Sequence, residues 1–313
     1  MEILLQAALL VVGFVMLVKG ADWFVEGASK IADHFGIPQL IIGLTIVAFG
    51  TSVPEAAVSI TAAMGGSASI TIGNVLGSNI LNILIILGIT SVIVPLTVQK
   101  STLRYEIPFV IFASVLLPVL GLKDGTVSRM DGVILWLGML FFIMYLLYMA
   151  KHGNGLGGDV PEAEEGESVL KMLFLVAVGM VMIVWGADIS VDAATSLARI
   201  FGMSERFIGL TIVALGTSLP ELITSVTAGL KGKADIAVGN IVGSNIFNLL
   251  FVVGTAALIT PVEYAPRFTV DSIVAIAAAV LLFICVIKDR KLKRAGGVIM
   301  LAGYAAYFVY LIS

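Results

Sequence analysis

The stretch GLTIVAFGTSVPE at residues 43–55 recurs almost unchanged as GLTIVALGTSLPE at residues 209–221. Each copy places a carboxylate, Glu55 or Glu221, directly after a Gly-Thr-Ser-x-Pro break inside an apolar run of membrane-spanning length. A charge at the bilayer centre costs about 3 kcal/mol even on the mildest scale, so acidic residues at this depth mark functional sites. The sequence therefore predicts a functional site built around the two copies.

The composition is that of a protein embedded in lipid. Of the 313 residues, 59% are hydrophobic and only 12% are charged, whereas soluble domains carry about 25% charged residues. The net charge is −3 and the mean hydropathy is +1.09, so the chain offers no basic surface and nucleic acid is excluded as a partner. The single cysteine, Cys285, excludes an intrachain disulfide and a multi-thiolate metal site.

No enzyme motif accompanies the acidic residues. A membrane-embedded hydrolase would need H-E-x-x-H or a pair of catalytic aspartate motifs, and the sequence contains neither. The two histidines, His34 and His152, lie at the ends of apolar segments, where an interfacial role accounts for them. We therefore expect a protein that is not an enzyme and that uses no cofactor.

Ten apolar segments of membrane-spanning length follow one another along the chain. The first lacks a basic leader and a small-residue cleavage pattern, so we interpret it as a retained span. The segments lie near residues 3–20, 37–64, 70–98, 106–121, 131–150, 169–187, 205–230, 235–260, 269–287 and 295–312. This pattern predicts an all-α polytopic membrane protein.

The two halves of the chain resemble each other in sequence. Residues 35–82 align without a gap onto residues 201–248, at an offset of 166. Because each half has an odd number of spans, the two halves must enter the membrane from opposite sides. We therefore predict ten transmembrane helices as two inverted-topology five-helix repeats, at residues 1–150 and 169–313, joined by an acidic cytoplasmic linker at residues 151–168.

The distribution of positive charge predicts the orientation. With both termini outside, the inner loops carry twelve lysines and arginines and the outer loops carry five, and an excess of positive charge marks the cytoplasmic side. The inner group is Lys30, Lys100, Arg104, Lys151, Lys171, Lys231, Lys233, Lys288, Arg290, Lys291, Lys293 and Arg294; the outer group is Lys123, Arg129, Arg199, Arg206 and Arg267. We expect a multi-pass protein of the cell membrane with both termini outside.

The Gly-Thr-Ser-x-Pro break is expected to free backbone oxygen atoms. Pro54 lacks an amide hydrogen and clashes with the carbonyl of Gly50, four residues earlier, and the pattern allows the carbonyls of Ala48 and Thr51 to lose their helical donors as well. Freed carbonyls at membrane depth persist where they line a cavity or bind a ligand. Together with the carboxylate and the nearby hydroxyls they form an all-oxygen set, which hard cations such as Ca²⁺ and Na⁺ prefer. The second copy has the equivalent residues Pro220, Gly216, Ala214 and Thr217.

A second repeated motif follows each break, as GNVLGSN at residues 73–79 and GNIVGSN at residues 239–245. Its paired glycines allow close helix packing. Ser78 and Asn82 are four residues apart and share a helical face, so their uncharged oxygens are predicted to complete a cation shell, as are those of Ser244 and Asn248. The remaining asparagines lie on other faces, where we interpret them as structural hydrogen-bonding residues for the interrupted backbone: Asn74, Asn79, Asn240 and Asn245.

These two pairs of motifs resemble those of the calcium/cation antiporters, the family that includes the sodium/calcium exchangers, and the resemblance covers nearly the whole chain. It implies ten helices around a midplane site where one Ca²⁺ competes with several Na⁺. By motif position, Glu55 and Glu221 with the carbonyls of Thr51 and Thr217 would hold Ca²⁺. The flanking Na⁺ sites would use Ala48, Ser52 and Ser218 on one side and Ala214, Ser78 and Ser244 on the other.

The resemblance leaves the counter-ion open. Some relatives, including potassium-dependent ones, carry Asp where this chain has Asn248, which makes K⁺ coupling less favoured here. The expected function is exchange of Ca²⁺ for Na⁺ by alternating access, with a Ca²⁺/H⁺ or K⁺-dependent exchanger as the alternative. A cation channel is the alternative from another class, since selectivity sites also use carbonyls and carboxylates. The expected partners are the transported ions and the lipid bilayer, with no obligate protein partner evident.

Overall fold

The computed structural model describes residues 2–66, 68–152, 168–203 and 214–312. In these ranges eight helices are long and apolar enough to cross a membrane, and a bent helix pair makes a ninth. The helices are α1 (Glu2–Phe35), α2 (Gln39–Thr51), α3 (Val53–Met64), α4 (Ser69–Ile93), α5 (Thr102–Asp124), α6 (Arg129–His152), α7 (Val169–Ile200), α8 (Ala214–Gly216), α9 (Leu219–Leu230), α10 (Ala234–Ile259), α11 (Phe268–Ile287) and α12 (Arg294–Ile312). The chain is thus an all-α multi-pass membrane protein.

Two helices are longer than the apolar segments that predict them. The segments near residues 3–20 and 169–187 continue as helix to Phe35 and Ile200. A helix such as α1, with 34 residues, is about 51 Å long and so exceeds the hydrocarbon thickness. Hydropathy marks only the part of a helix that lies in lipid, which is why the sequence underestimates its length. The predicted segment 205–230 and the linker 151–168 lie partly outside the described residues.

Helix α10 lies at the centre of the bundle. Every residue from Ile236 to Leu250 is buried, as expected for a helix surrounded by protein on all sides. Its glycines allow α2 to approach closely, since a Cβ added to Gly243 would lie 2.7 Å from the carbonyl oxygen of Leu44. The predicted packing role is therefore confirmed for the pair in α10, Gly239 and Gly243, and is wrong for Gly77, since a Cβ added there would meet no described atom within 4 Å.

Helices α1 and α7 pack side by side through glycine. A Cβ added to Gly20 would lie 2.8 Å from the carbonyl oxygen of Gly179, and one added to Gly186 would lie 2.8 Å from that of Gly13. Much of the remaining surface of both helices is exposed and apolar. This pair therefore forms a layer against the core with its outer face available to lipid.

Four short strands connect the two halves of the chain. Strand β1 (Leu96–Thr97) pairs antiparallel with β4 (Lys291–Leu292), and β2 (Thr126–Val127) pairs antiparallel with β3 (Val262–Glu263). The sequence analysis did not predict these strands, because two residues are too few to show an alternating pattern. They fasten loops of one half to loops of the other.

Candidate cation site at the broken helices

The Gly-Thr-Ser-x-Pro sequence breaks the helix where the pattern predicts. Ser52 separates α2 from α3 with φ −86° and ψ 7°, and the two helices meet at 50°. Ser218 has nearly the same backbone conformation, φ −92° and ψ 5°, immediately before α9. Pro54 and Pro220 lie in the first turn of the following helices, where the missing amide hydrogen breaks no helical hydrogen bond.

The hydrogen bonds of the Ala48 carbonyl differ from the predicted ones in two ways. It accepts a hydrogen bond from the Ser52 amide at 3.1 Å, so the prediction that it loses its helical donor is wrong, because the break begins only at Ser52. It also accepts from Ser244 Oγ of α10 at 3.3 Å. The resemblance implies that Ala48 and Ser244 lie on opposite flanks of the site, whereas this hydrogen bond joins them directly.

Both repeated carboxylates are fully buried and held by serines of the opposite half. Ser52 Oγ donates to Glu221 Oε1 at 2.9 Å, and Ser218 Oγ donates to Glu55 Oε1 at 3.3 Å. The second oxygen, Oε2, of each carboxylate is buried and has no hydrogen-bond partner among the described residues. Within the same ranges, no lysine, arginine or histidine forms an ion pair with either carboxylate. Each glutamate therefore retains an acceptor oxygen that no group of the described chain satisfies.

Asparagines brace the backbone on which these carboxylates sit. Asn74 Nδ2 donates to Ser59 Oγ at 2.9 Å and to the Glu55 carbonyl at 3.2 Å. Asn240 Nδ2 makes the equivalent bonds to Ser225 Oγ at 2.9 Å and to the Glu221 carbonyl at 3.5 Å. The prediction that these two asparagines support the interrupted helices is confirmed.

The next asparagines join α4 to α10 instead. Asn79 Nδ2 donates to the Asn245 carbonyl at 3.2 Å, and Asn245 Nδ2 donates to the Asn79 carbonyl at 3.3 Å. For this pair the predicted partner was wrong: the partner is the facing helix and not the interrupted one. The side chains of Asn82 and Asn248 donate to this pair through their amide nitrogens, and the Oδ1 of each is buried without a partner in the part of the chain that the structure describes.

The other residues predicted for the cation site lie on α2, on α4 or at the second break. Thr51 is buried, and its hydroxyl contacts Asn240 Oδ1 at 3.0 Å. Ser78 is also buried, whereas Thr217 is half-buried. The backbone of Ala214 lies in α8, next to the second break.

Two acids in the second half of α1 form ion pairs outside the candidate site. Asp22 pairs with Lys231 at 2.6 Å and Glu26 pairs with Lys30 at 2.8 Å, with both pairs partly exposed. Solvent screens such partly exposed pairs.

Sequence reasoning missed two kinds of feature. Ser59 and Ser225 are buried partners of the bracing asparagines, and their position one turn after each glutamate was the available signal. The helices that carry the second motif also widen into π turns, at Asn82–Leu87 and Asn248–Val252. Such turns occur often at functional sites, but no sequence pattern marked them.

The chemistry of this region is that of a site for a hard cation. In this region four buried oxygens lack a hydrogen-bond partner among the described residues, and they belong to two carboxylates and two amides, Glu55, Glu221, Asn82 and Asn248. No group of three or more His, Cys, Asp or Glu side chains occurs among the residues that the structure covers, so a transition-metal centre is not indicated there. Oxygen ligands with few fixed charges suit Ca²⁺ and Na⁺.

The comparisons with known proteins agree with this chemistry. The family described as sodium/calcium exchanger protein matches residues 5–150 and 171–313. The chain is 39% identical to the putative antiporter CaxA of Alkalimonas amylolytica, over 99% of both chains, and 32% identical to the sodium/calcium exchanger MaX1 of Methanosarcina acetivorans, over 97% of both. A solved structure of the sodium-calcium exchanger NCX_Mj is 34% identical, covers 99% of both chains and superposes with a TM-score of 0.84. The chain therefore belongs to the sodium/calcium exchanger protein family, a family of membrane transporters and not of enzymes.

Proposed function

We propose that this chain is a secondary antiporter that exchanges Ca²⁺ for Na⁺ across the membrane by alternating access. The observation that carries the proposal is the pair of fully buried carboxylates, Glu55 and Glu221, each with an unpartnered oxygen and no basic partner in the described chain. Two buried negative charges are unfavourable unless cations balance them. A divalent ion would balance both, and Na⁺ ions would do so in its place.

The proposed ligands divide into a central set and two flanks. Ca²⁺ would bind between Glu55 and Glu221 with the carbonyls of Thr51 and Thr217. The contact between Ser244 and the Ala48 carbonyl supports one Na⁺ flank at that pair. By the sequence equivalence of the halves, Ala214 and Ser78 would form the other flank. Ser52, Ser218, Asn82 and Asn248 would add neutral oxygens.

The proposed architecture is ten helices in two inverted five-helix repeats, residues 1–150 and 169–313, with a cytoplasmic linker at 151–168 and both termini outside. Its support is that equivalent residues make equivalent contacts. The bonds from Ser52 to Glu221 and from Ser218 to Glu55 exchange with each other under the 166-residue offset. The two strand pairs likewise each join one half to the other. Such a repeat relation places a site at the interface of the halves and suits alternating access.

The test is Ca²⁺ uptake into proteoliposomes under imposed Na⁺, H⁺ and K⁺ gradients in turn. We expect an outward Na⁺ gradient to drive Ca²⁺ uptake without K⁺, because Asn248 adds no third charge to the site. Uptake driven only by a pH gradient would indicate Ca²⁺/H⁺ exchange, and uptake that needs K⁺ would indicate a K⁺-dependent exchanger. Ca²⁺ flux that needs no counter-ion would indicate a channel.

The charge of the site also predicts that exchange moves net charge. Ca²⁺ bound at two carboxylates leaves the site near neutral, whereas more than two Na⁺ leave it positive. Moving one elementary charge is worth about 2.3 kcal/mol per 100 mV, so an inside-positive potential should accelerate Na⁺-driven Ca²⁺ entry. Uptake that is unchanged when valinomycin clamps the potential would require an electroneutral exchange instead.

A further inference from the structure

The amides of Asn82 and Asn248 are each oriented by an asparagine of the facing helix. Asn248 Nδ2 donates to Asn79 Oδ1 at 3.3 Å, and Asn82 Nδ2 donates to Asn245 Oδ1 at 3.0 Å. We propose that Asn79 and Asn245 are positioning residues that make Asn248 and Asn82 present oxygen, and not nitrogen, to the transported cations. The inference rests on the proposed function and concerns the same site.

The direction of each amide follows from a backbone carbonyl. Asn79 faces the Asn245 carbonyl oxygen at 3.2 Å, and a carbonyl only accepts, so the Asn79 atom that faces it must be the amide nitrogen. Asn79 Oδ1 is then available as an acceptor, and the atom of Asn248 that meets it must be a donor, Nδ2. The oxygen of Asn248 is consequently the atom directed away from Asn79.

Asn245 and Asn82 form a second pair that is arranged like Asn79 and Asn248. Asn245 Nδ2 donates to the Asn79 backbone carbonyl at 3.3 Å, which leaves Asn245 Oδ1 to accept from Asn82. Asn79 and Asn245 are thus each held by the backbone carbonyl of the other residue, which serves as the anchor. Truncating the side chain of Asn79 therefore leaves the anchor of Asn245 in place, and the reverse also holds.

This orientation decides whether the two amides attract or repel a cation. All four asparagines are at most 2% exposed, so water is not available to satisfy an amide that has lost its partner. The Oδ1 atoms of Asn82 and Asn248 accept no hydrogen bond from any residue that the structure covers, whereas a reversed amide would direct its NH₂ group where the oxygen now lies. An amide that can rotate would therefore weaken cation binding even if the fold is unchanged.

The first measurement is equilibrium binding of radioactive Ca²⁺ to purified protein. We expect Asn79→Ala to raise the dissociation constant about tenfold, as for loss of a buried hydrogen bond that orients a ligand. Asn245→Ala should have a similar effect through Asn82. Thr90→Ala is the matched control, because Thr90 is buried in α4 and its hydroxyl donates to the Ile86 carbonyl of the same helix. Ca²⁺ binding by this variant should stay normal.

The decisive measurement uses a side chain at position 248 that presents oxygen in either orientation. Asn248→Asp places two equivalent oxygens at that position, so a positioning partner becomes unnecessary. In the Asn248→Asp background, Asn79→Ala should change the dissociation constant by less than about threefold or improve binding, while Asn245→Ala should still weaken it. Asn82→Asp should rescue Asn245→Ala and should not rescue Asn79→Ala. A merely structural role for Asn79 or Asn245 would not produce this crossed pattern.

Each outcome decides the inference. The inference is overturned, with the proposed function left intact, if Asn79→Ala weakens Ca²⁺ binding equally in the wild-type and the Asn248→Asp backgrounds. Normal Ca²⁺ binding by Asn79→Ala alone would overturn it as well. Wild-type protein that binds neither Ca²⁺ nor Na⁺ would overturn the proposed function and this inference together. If Asn79→Ala does not fold, Asn79→Leu keeps the branched shape and the number of heavy atoms while removing the polar atoms, and it is used in the same cycle. The Asn245–Asn82 pair provides an independent cycle.

Discussion

Two helix pairs in this protein pack closely through small residues, but they are fastened differently. In the α1–α7 pair, glycine meets backbone directly, and the buried hydroxyl of Ser190 has no hydrogen-bond partner within the described chain. In the α4–α10 pair, Asn79 and Asn245 exchange hydrogen bonds with each other's backbone. An interface of glycine against backbone fixes the distance between two helices. Reciprocal amide hydrogen bonds also fix the rotation of each helix and the direction of its polar atoms. The ion-binding chemistry that we propose is accordingly built beside the hydrogen-bonded pair.

The largest effect is expected for the two carboxylates beside the hydrogen-bonded pair. It tests whether Ca²⁺ transport depends on these two charges in particular or on any buried carboxylate. Glu55→Gln or Glu221→Gln should nearly abolish Ca²⁺ transport, because the dehydrated divalent ion would meet one negative charge in place of two. Expression should survive, since the substitution keeps the side-chain shape. The measurement is Ca²⁺ uptake into proteoliposomes.

Glu106 provides the matched control for that experiment. It is a fully buried carboxylate in α5 that hydrogen-bonds the Tyr145 hydroxyl of α6, outside the candidate site. Glu106→Gln should retain uptake. Robust Ca²⁺ uptake by both single variants at the site, or loss of uptake in Glu106→Gln alone, would contradict the assignment.

The next effect concerns the glycine interface. A Cβ added to Gly179 would lie 2.6 Å from the Phe24 amide nitrogen of α1, so Gly179→Val should force the helices apart and destabilise the protein by about 1–3 kcal/mol. Thermal unfolding in detergent measures the loss. Gly138→Ala is the control, because the Leu250 methyl groups at 3.5 Å leave room for a Cβ. Equal melting temperatures for the two variants would show that close approach of α1 and α7 is not needed.

A smaller effect compares the two serines that hold the carboxylates. Ser52→Ala and Ser218→Ala each remove one hydrogen bond from a buried carboxylate, worth about 1–3 kcal/mol, and should raise the dissociation constant for Ca²⁺ by about five- to hundredfold. We expect the larger change for Ser52→Ala, because its bond is 2.9 Å against 3.3 Å for Ser218. A larger change for Ser218→Ala would show that the two halves contribute in the opposite order.

The smallest effect lies on the surface, in the connection between α11 and α12. The hydrogen bond and the charge of Lys293 lower the pKa of Asp289, so this pair stabilises the fold above the ordinary aspartate pKa and loses that effect as the pH falls through the lowered value. Because both side chains are largely exposed, solvent screens the pair. Asp289→Asn should leave the melting temperature at pH 7 within experimental error. A clear decrease would mean that this pair contributes to packing of the loop.

Much of the site was predictable because its elements are local in sequence. The helix break at Ser52 follows from Pro54 and its neighbours, and the breaks at both copies have nearly the same backbone angles. The bracing role of Asn74 and Asn240 was also predictable, since each lies one helix after the break it supports. The lengths of α1 and α7 were not, because helix continues beyond the apolar part of each segment.

The sequence by itself determined that the chain spans a membrane many times and that it carries two copies of a broken helix with a carboxylate. These conclusions depend on composition, periodicity and the backbone chemistry of glycine and proline, which act over a few residues. Only the tertiary structure decided that Ser52 bonds to Glu221 of the other half, that Ser244 bonds to the Ala48 carbonyl, and that Asn248 bonds to Asn79. Such contacts join residues more than 160 positions apart. They depend on which helix faces which and at what rotation, and no periodicity along one chain contains that information.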